Sequence, residues 1–308
     1  MSSYLHAFGA YLPARVVSNA ELAQRLGCSP EWIEKSSGIR ERRWAGDEGV
    51  VEMGAEAARA CLTRAAIPAS QIGLLILASG SAPPGFPSPA ASLAARLGLG
   101  IVPALDVPMA SAGSLFAMAI ASRLAEDYGD VLVVAAEKMS AIIQAHPLEK
   151  NTAILFGDGA GAALVSSRPG SWRILDSALH SDGQFGEDLR YDWTSPLKMN
   201  GLSVILHAAR KMPAAIQEAL DRSKVAATGV AQFLLHQANQ NLLVRVARAL
   251  GVPESRVFSN VARYGNTSSA SMLIAAAEWS AEASPAGPIV FSAFGAGWHW
   301  GALVAAPE

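Results

Sequence analysis

Three polar residues stand at points of the sequence where α/β proteins commonly place reactive groups. Ser111 ends the apolar run 104–110 and is followed by small residues, a pattern that predicts a buried strand feeding a helix with the serine at the turn. His236 follows Phe233–Leu235, which predicts an imidazole at the carboxyl edge of a strand. Asn266 lies in a glycine-led turn before a stretch of small residues. A helix N-terminus favours developing negative charge, so Ser111 is the candidate nucleophile.

Each of these residues also has a purely structural interpretation. Ser111 could cap a helix, His236 could be a hydrogen-bonded core histidine, and Asn266 could form an Asx turn. The segment 157–161, Gly-Asp-Gly-Ala-Gly, lacks the Lys-Ser/Thr of a phosphate-binding loop and predicts a tight structural turn instead. The other histidines share no metal-ligand spacing, so no metal site is predicted; they are His6, His146, His180, His207 and His299.

Composition excludes several classes of function. The 308 residues carry a net charge of −2 and 51% hydrophobic residues, with no long basic block, which argues against a nucleic-acid partner. Two cysteines are too few for a disulfide framework. The absence of an 18-residue apolar run and of a signal-peptide pattern predicts a cytoplasmic protein without a membrane partner.

Helical and extended patterns alternate along the chain. Residues 50–66, 89–97 and 114–128 have the composition and apolar spacing of helices. Residues 72–79 and 130–136 are short apolar runs of the kind that form buried strands. This alternation predicts an α/β fold with buried sheets.

Two glycine-rich segments of similar sequence lead into apolar strands near the ends of the two halves of the chain. They are residues 156–165 and 294–304. A duplicated fold would produce this spacing, and chance similarity of two short segments is the alternative. The predicted domains are residues 1–168, carrying the serine, and residues 169–308, carrying the histidine and the asparagine.

Taken together, these segments resemble β-ketoacyl-acyl-carrier-protein synthase III, a condensing enzyme of the thiolase superfamily. The resemblance runs nearly end to end and rests on residues 31–33, 37–42, 86–88, 156–163, 236–239, 264–268 and 294–297. It implies an α/β thiolase fold, a five-layered αβαβα arrangement of two related halves. It also implies a homodimer.

The resemblance implies acyl transfer from a coenzyme A thioester, followed by attack of a decarboxylated malonyl unit held on acyl carrier protein. Coenzyme A enters as substrate, and no resident cofactor is expected. The resemblance places Ser111, His236 and Asn266 at the catalytic positions. The backbone N–H groups of Ser111 and Ala296 would form the oxyanion hole. Acyl-CoA and acyl carrier protein are the expected partners.

The resemblance also assigns the entrance to the site. Trp32 matches the residue that stacks on adenine, and Phe86 matches the residue that reaches the partner's acyl pocket. The full set of substrate-binding positions is Trp32, Lys35, Phe86, Lys150, Asn239 and Asn241. The family carries arginine near the positions of Lys35, Lys150 and Asn241, so a bidentate grip on phosphate is weakened here.

The main departure is Ser111, because the family pattern has cysteine there. A thiol is partly ionised near neutral pH, whereas a hydroxyl needs a general base, and His236 is the candidate. Three hypotheses follow: an acyltransferase that uses Ser111, a silent homologue that binds acyl thioesters or partners a cysteine-bearing enzyme, or a serine introduced in place of a native cysteine. Pocket size and acyl identity depend on Phe86, Trp298 and residues 185–206, and a short or branched acyl group is expected.

Overall fold

The main structural feature is a sheet of nine strands, seen in a computed structural model that describes residues 2–282 and 287–308. Together with four short strands outside this sheet, the described residues form the following strands: β1 Ser3–Tyr11, β2 Val16–Ser18, β3 Glu41–Arg43, β4 Ile72–Ala78, β5 Ala104–Val107, β6 Asp130–Lys138, β7 Asp158–Ser166, β8 Trp172–Ser181, β9 Leu189–Arg190, β10 Lys198–Met199, β11 Gln232–Leu235, β12 Ile289–Gly295 and β13 His299–Pro307. β2 pairs with β3 and β9 with β10 in two small separate ladders.

The helices cover the sheet and connect its strands. They are α1 Asn19–Leu26, α2 Pro30–Ser37, α3 Val50–Ala65, α4 Pro89–Leu97, α5 Gly113–Tyr128, α6 Met139–Gln144, α7 Lys150–Ala153, α8 Gly201–Ser223, α9 Gln240–Leu250, α10 Val261–Tyr264 and α11 Ser271–Glu282. Among residues 2–282 and 287–308, none of these helices combines the length and apolar character needed to cross a membrane.

The large sheet consists of two similar halves joined edge to edge. Its order is β11-β12-β13-β8-β1-β7-β6-β4-β5, and β1 meets β8 over residues 3–5. In the N-terminal half β4 is parallel to β6, which is antiparallel to β7, which is antiparallel to β1. In the C-terminal half β11, β12, β13 and β8 repeat the same sequence of pairings. The repeat agrees with the similarity of residues 156–165 and 294–304.

Three of the four apolar clusters of the described residues lie between five layers, and the middle cluster covers both sides of the central helix layer. α3 and α4 cover one face of the N-terminal half-sheet. α5 and α11 lie between the two half-sheets and contact strands of both. α8 and α9 cover the outer face of the C-terminal half-sheet. This is the predicted αβαβα arrangement.

Local sequence accounts for most element boundaries. α4, for example, begins where Ser88 Oγ accepts from the Ala91 N–H and Pro89 occupies the first turn, and it ends at Gly98 with φ of 68°. The predicted elements at 50–66, 72–79, 89–97, 114–128 and 130–136 are all confirmed to within a few residues. The division at residue 168 stays a prediction, with β7 ending at Ser166 and β8 beginning at Trp172.

The tight turn predicted over residues 157–161 is wrong for most of its length. Residues 158–161 belong to strand β7. A Cβ atom on Gly161 would lie 2.5 Å from Leu273 Cβ, and one on Gly159 would lie 3.0 Å from Ile274 Cδ1. The glycines are therefore required because α11 packs directly on this strand.

Candidate active site

Ser111 occupies the connection between β5 and α5, as the sequence predicts. It is 7% exposed and has a φ of 64°, a left-handed conformation that costs free energy in a residue with a Cβ atom. The N-cap of α5 is Ala112, which offers no side-chain hydrogen bond to the helix. The serine therefore lies beside the uncapped N-terminus of a 16-residue helix, where the backbone dipoles favour negative charge.

Strand β12 ends against the Ser111 turn. A Cβ atom on Gly295 would lie 2.1 Å from the Ala110 carbonyl oxygen and 3.1 Å from Ser111 Cβ. Only glycine permits this approach. The contact joins the two halves of the chain directly at the candidate nucleophile.

The Ser111 backbone N–H already has a partner. It donates to Ser268 Oγ over 2.9 Å, and Ser268 itself has a φ of 47°. The backbone N–H predicted for the oxyanion hole thus donates to a side-chain hydroxyl in this structure. Substrate oxygen would reach that N–H only by displacing the Ser268 side chain. Ala296, the other predicted donor, follows Gly295 and lines a cavity together with Ser111.

His236 stands at the end of β11, where its side chain is 2% exposed. Its Nδ1 lies 2.6 Å from Ser271 Oγ, which also accepts from the Gln237 N–H. Burial lowers the pKa of His236 to about 4, opposed by the hydrogen bond with the Ser268 backbone. The imidazole is therefore neutral at pH 7, and Nε2 is the ring nitrogen that has no side-chain hydrogen-bond partner among residues 2–282 and 287–308.

This burial predicts a pH-dependent loss of stability. Protonation favours the unfolded state, because the pKa of His236 is lower in the folded protein than its ordinary value of 6.5. The neutral imidazole contributes about 3 kcal/mol to the free energy of unfolding. This contribution is complete above about pH 6.5 and is lost as the pH falls towards 4. Urea unfolding at pH 7.5 and 4.5 measures it.

His236→Gln is the matched control for that measurement. It keeps a side chain of similar size without a titrating ring. The free energy of unfolding of the wild type should therefore exceed that of the variant by less as the pH falls. Subtraction removes the contributions of other shifted groups such as His299 and Asp158. An unchanged difference between pH 7.5 and 4.5 would contradict the assignment.

The orientation of the Asn266 amide follows from its hydrogen bond. Oδ1 accepts from the Ser268 N–H over 2.9 Å, and a backbone N–H can only donate, so the side-chain oxygen must face it. The Nδ2 group is then free to donate elsewhere. The backbone is held by the Asn266 N–H, which donates to the Leu155 carbonyl over 2.8 Å, and by Gly157 N–H, which donates to the Asn266 carbonyl.

The three candidate residues meet at one cavity of about 300 Å³. Ser111, His236 and Asn266 all line it, together with Asn239. Ser111 also lines a second cavity of about 280 Å³ on its other side, with Ala296. The described residues include no hydrogen bond between Ser111 Oγ and the imidazole. We call the cavity lined by Ser111, His236 and Asn266 the histidine-side cavity, and the cavity lined by Ser111 and Ala296 the acyl-side cavity.

The predicted coenzyme-binding residues are only partly brought to this site. Lys150 Nζ lies 4.4 Å from the centroid of the Trp32 ring, so a cation covers the aromatic face predicted for adenine. The amides of Asn239 and Asn241 both donate to the Ser36 carbonyl, which is a structural task. Lys35 is exposed on α2. Within the described ranges, only Asn239 of this group lines the histidine-side cavity.

Phe86 is not part of either cavity in the single chain. It lies in the loop before α4 and is 99% exposed. An apolar side chain of this size left in solvent is typical of an interface residue. The predicted role across a dimer stays a prediction.

Glu137 is a site residue that sequence reasoning missed. It is fully buried at the end of β6, yet it accepts hydrogen bonds from three backbone N–H groups, those of Gly80, Ser81 and Ser269. The Ser269 hydroxyl adds a bond of 2.6 Å. The carboxylate therefore ties the loop after β4 to the loop that carries Asn266. A lone acid in an apolar strand was the available sequence signal.

Glu137→Gln is expected to destabilise the fold by about 2 kcal/mol. An amide oxygen can face Gly80 and Ser81 or it can face Ser269, and the NH₂ group then opposes backbone donors on the other side. Urea denaturation measures the loss. Glu126→Gln makes the same charge change at an exposed position of α5 and should leave stability within about 0.5 kcal/mol of wild type. Equal stability of both variants would contradict the anchoring role.

Ser268, Ser271 and His299 were also missed as site residues. The first two lie in a run of small residues that predicts only a helix start, and their partners are 157 and 35 residues away in the sequence. His299 lines the acyl-side cavity. Its position in a strand after a glycine turn offers no local sign of this.

The fold and the arrangement of Ser111, His236 and Asn266 define an α/β protein of the thiolase type with a polar site between its two halves. Family models agree with this class. The model for 3-Oxoacyl-[acyl-carrier-protein (ACP)] synthase III matches residues 105–183, and that for its C-terminal part matches residues 220–306. The chain belongs to the 3-oxoacyl-[acyl-carrier-protein] synthase III family.

Relatives match over the whole length. Beta-ketoacyl-[acyl-carrier-protein] synthase III of Staphylococcus aureus (strain Newman) is 33% identical over 98% of both chains, and that of Chlamydia muridarum is 34% identical over 99% of both. The solved 3-oxoacyl-[acyl-carrier-protein] synthase III from Aquifex aeolicus VF5 has a TM-score of 0.95 at 32% identity, covering 99% of this chain and 100% of the other. The priming β-ketosynthase from the R1128 polyketide biosynthetic pathway has a TM-score of 0.91 at 32% identity, covering 99% and 96%.

Proposed function

We propose that this chain is an acyltransferase of the 3-oxoacyl-ACP synthase III type. Ser111 takes an acyl group from acyl-CoA or acyl-ACP and passes it to a malonyl thioester or another acceptor, in fatty-acid or polyketide-type biosynthesis. The observation that carries the proposal is the position of Ser111 between two cavities, one of which it shares with His236 and Asn266. The similarity to a beta-ketoacyl-[acyl-carrier-protein] synthase III and to the priming β-ketosynthase of a polyketide pathway supports the substrate class.

The two cavities bind different parts of the substrate. A thioester carbonyl at Ser111 places its acyl chain in the acyl-side cavity, which has a mainly apolar wall; that wall includes Met109, Met139, Ile142, Phe156 and Leu197. The thiol portion then occupies the histidine-side cavity beside His236. No charged group is needed at the carbonyl, because backbone N–H groups polarise it.

In the acyl-transfer step Ser111 Oγ attacks the thioester carbonyl and its proton moves to His236 Nε2. The C–S bond breaks, the sulfur takes that proton from Nε2, and coenzyme A leaves as the free thiol. The N–H groups of Ser111 and Ala296 stabilise the oxyanion after the Ser268 hydroxyl has moved aside. A histidine whose pKa is about 4 is a weak base at pH 7, so this step is slow relative to that of a thiolate.

In the second step a malonyl thioester binds in the histidine-side cavity. Loss of carbon dioxide leaves an enolate, whose oxygen accepts from Asn266 Nδ2. It also accepts from His236 Nε2 in the other neutral tautomer of the ring, in which Nδ1 accepts from the Ser271 hydroxyl. The enolate carbon attacks the acyl ester, and the C–O bond to Ser111 breaks. The Ser111 alkoxide takes up a proton from water.

Coenzyme A would enter past Trp32 and Lys150, with Lys35, Asn239 and Asn241 near the opening. Acyl carrier protein is the second proposed donor. We also propose a homodimer, which is supported by the exposed side chain of Phe86 and by the edge strand β5, whose Leu105 is 44% exposed.

Intact-protein mass spectrometry across a panel of acyl-CoA substrates tests the proposal. The wild-type protein should gain one acyl mass, mapped to Ser111 by peptide analysis, and Ser111→Ala should gain none. The absence of an adduct at every chain length would overturn it.

A second candidate is a catalytically silent homologue that binds acyl thioesters or partners a cysteine-bearing enzyme. One observation favours it: the Ser111 amide that an oxyanion requires is occupied by Ser268 Oγ. In that case Ser111→Ala leaves the output of the reconstituted pathway unchanged.

A further inference from the structure

The acyl-side cavity contains an imidazole within its largely apolar wall. His299 lies at the start of β13 and is partly buried. It pairs across the hairpin with Gly295, and a Cβ atom on Gly295 would lie 3.1 Å from Ser111 Cβ. Directly opposed residues of antiparallel strands are about 5 Å apart, so His299 lies close to the first carbons of an acyl group held on Ser111.

One nitrogen of this ring is occupied and the other is not. Nδ1 lies 2.7 Å from Ser181 Oγ. Nε2 lies beside Gly297, another residue of the cavity wall, because a Cβ atom added to Gly297 would lie 2.7 Å from it. Nε2 makes no hydrogen bond to any residue in the ranges 2–282 and 287–308. Phe116 meets the ring edge-on at 5.6 Å between centroids, so the imidazole is held in place by packing.

The electrostatics of the cavity favour a neutral ligand group. Burial lowers the pKa of His299, which favours the uncharged ring. Arg190 also lines the cavity, but its guanidinium is paired with Glu187 and Asp192. Arg190 is the only Lys or Arg among the described residues of the cavity lining, so a carboxylate on the acyl group would compete with Glu187 and Asp192 for it. A hydroxyl would find a partner in either tautomer of His299, because it both donates and accepts.

We propose that the acyl group accepted by this protein bears a hydroxyl on one of its first carbons, and that His299 Nε2 recognises that hydroxyl. The inference rests on the proposed function of the Ser111 site. A wholly apolar chain would bury Nε2 without a partner, which is unfavourable. A site built around a hydrogen-bonding group discriminates against analogues that lack it.

The test compares butyryl-CoA with both enantiomers of 3-hydroxybutyryl-CoA. Binding to Ser111→Ala is measured by calorimetry, which reports the pocket without any acylation. One hydroxylated enantiomer should bind about tenfold more tightly than butyryl-CoA, the effect of one hydrogen bond. Adding His299→Phe should abolish the preference, and adding His299→Gln, which keeps an amide near the position of Nε2, should retain it. Circular dichroism checks that each variant is folded.

Acylation rates of wild-type protein and of His299→Phe separate this inference from the proposed function. A preference in binding with no acylation at all would support recognition by His299 and defeat the function of Ser111. Acylation of the wild type without any hydroxyl preference would overturn the inference alone. Loss of acylation by every substrate in folded His299→Phe would also overturn it, because His299 would then act on Ser111. A preference for the hydroxylated acyl-CoA that survives in His299→Phe would likewise overturn the inference.

Discussion

Replacing Ser111 with cysteine is expected to raise the rate of acyl-enzyme formation from acyl-CoA about a hundredfold or more. A thiol beside a helix N-terminus ionises readily and needs no base, whereas the serine depends on His236, whose pKa of about 4 makes it a weak base. The side chain borders two cavities, so the larger sulfur atom has room. Quenched-flow mass spectrometry measures the rate.

Ser114→Cys provides the matched control. Ser114 lies on α5, three residues beyond Ser111, and is fully buried, so its thiol should form no adduct. The Ser111→Cys acyl-enzyme should also condense faster with malonyl-ACP, because a thioester reacts more readily with a carbon nucleophile than an oxygen ester does. Equal acylation rates for Ser111→Cys and wild type would contradict the argument that the weak base His236 limits the reactivity of Ser111.

Alanine substitution of His236 or Asn266 is expected to lower malonyl-thioester decarboxylation by about 10²- to 10³-fold. Each residue supplies one donor to the same enolate oxygen, and the orientation of Asn266 leaves its Nδ2 free for this purpose. The double variant should lose little more than either single one, because the two groups act on one carbonyl. Release of carbon dioxide from malonyl-CoA measures the effect.

Two comparisons complete this second test. Ser111→Ala should retain decarboxylation, since the serine takes no part in that step. His180→Ala removes a histidine that pairs with Glu218 at the partly exposed outer side of β8, and it should leave decarboxylation unchanged. If His236→Ala and Asn266→Ala decarboxylate as fast as His180→Ala, the two residues do not bind the malonyl carbonyl.

The three site residues could be located from the sequence because each interrupts a regular pattern. Ser111 lies where a strand gives way to small residues, His236 where a strand ends, and Asn266 after a glycine with positive φ. These are local features, set by backbone geometry within a few residues. The turn predicted at 157–161 was wrong because glycine can serve a distant packing contact as well as a turn, here with Leu273.

The coenzyme-binding assignments stay predictions, and the structure adds contacts between these residues that the sequence did not indicate. The Asn241 amide donates to the Ser36 carbonyl. Lys150 lies over the ring of Trp32. These contacts depend on where α2, α7 and α9 meet, which no single segment of sequence specifies.

By itself the sequence predicted several elements, the class of fold and three candidate residues that the structure brings to one cavity, since helix caps, strand periodicity and glycine conformations act over short stretches of chain. Only the tertiary structure decided the hydrogen-bonding state of the site. Ser268 satisfies the Ser111 amide from 157 residues away, and Glu137 anchors Ser269 across 132 residues. His299 joins the acyl-side cavity through a strand pairing. The physical reason is that a buried polar group must find its partner in three dimensions, and that choice is settled by how the two halves pack.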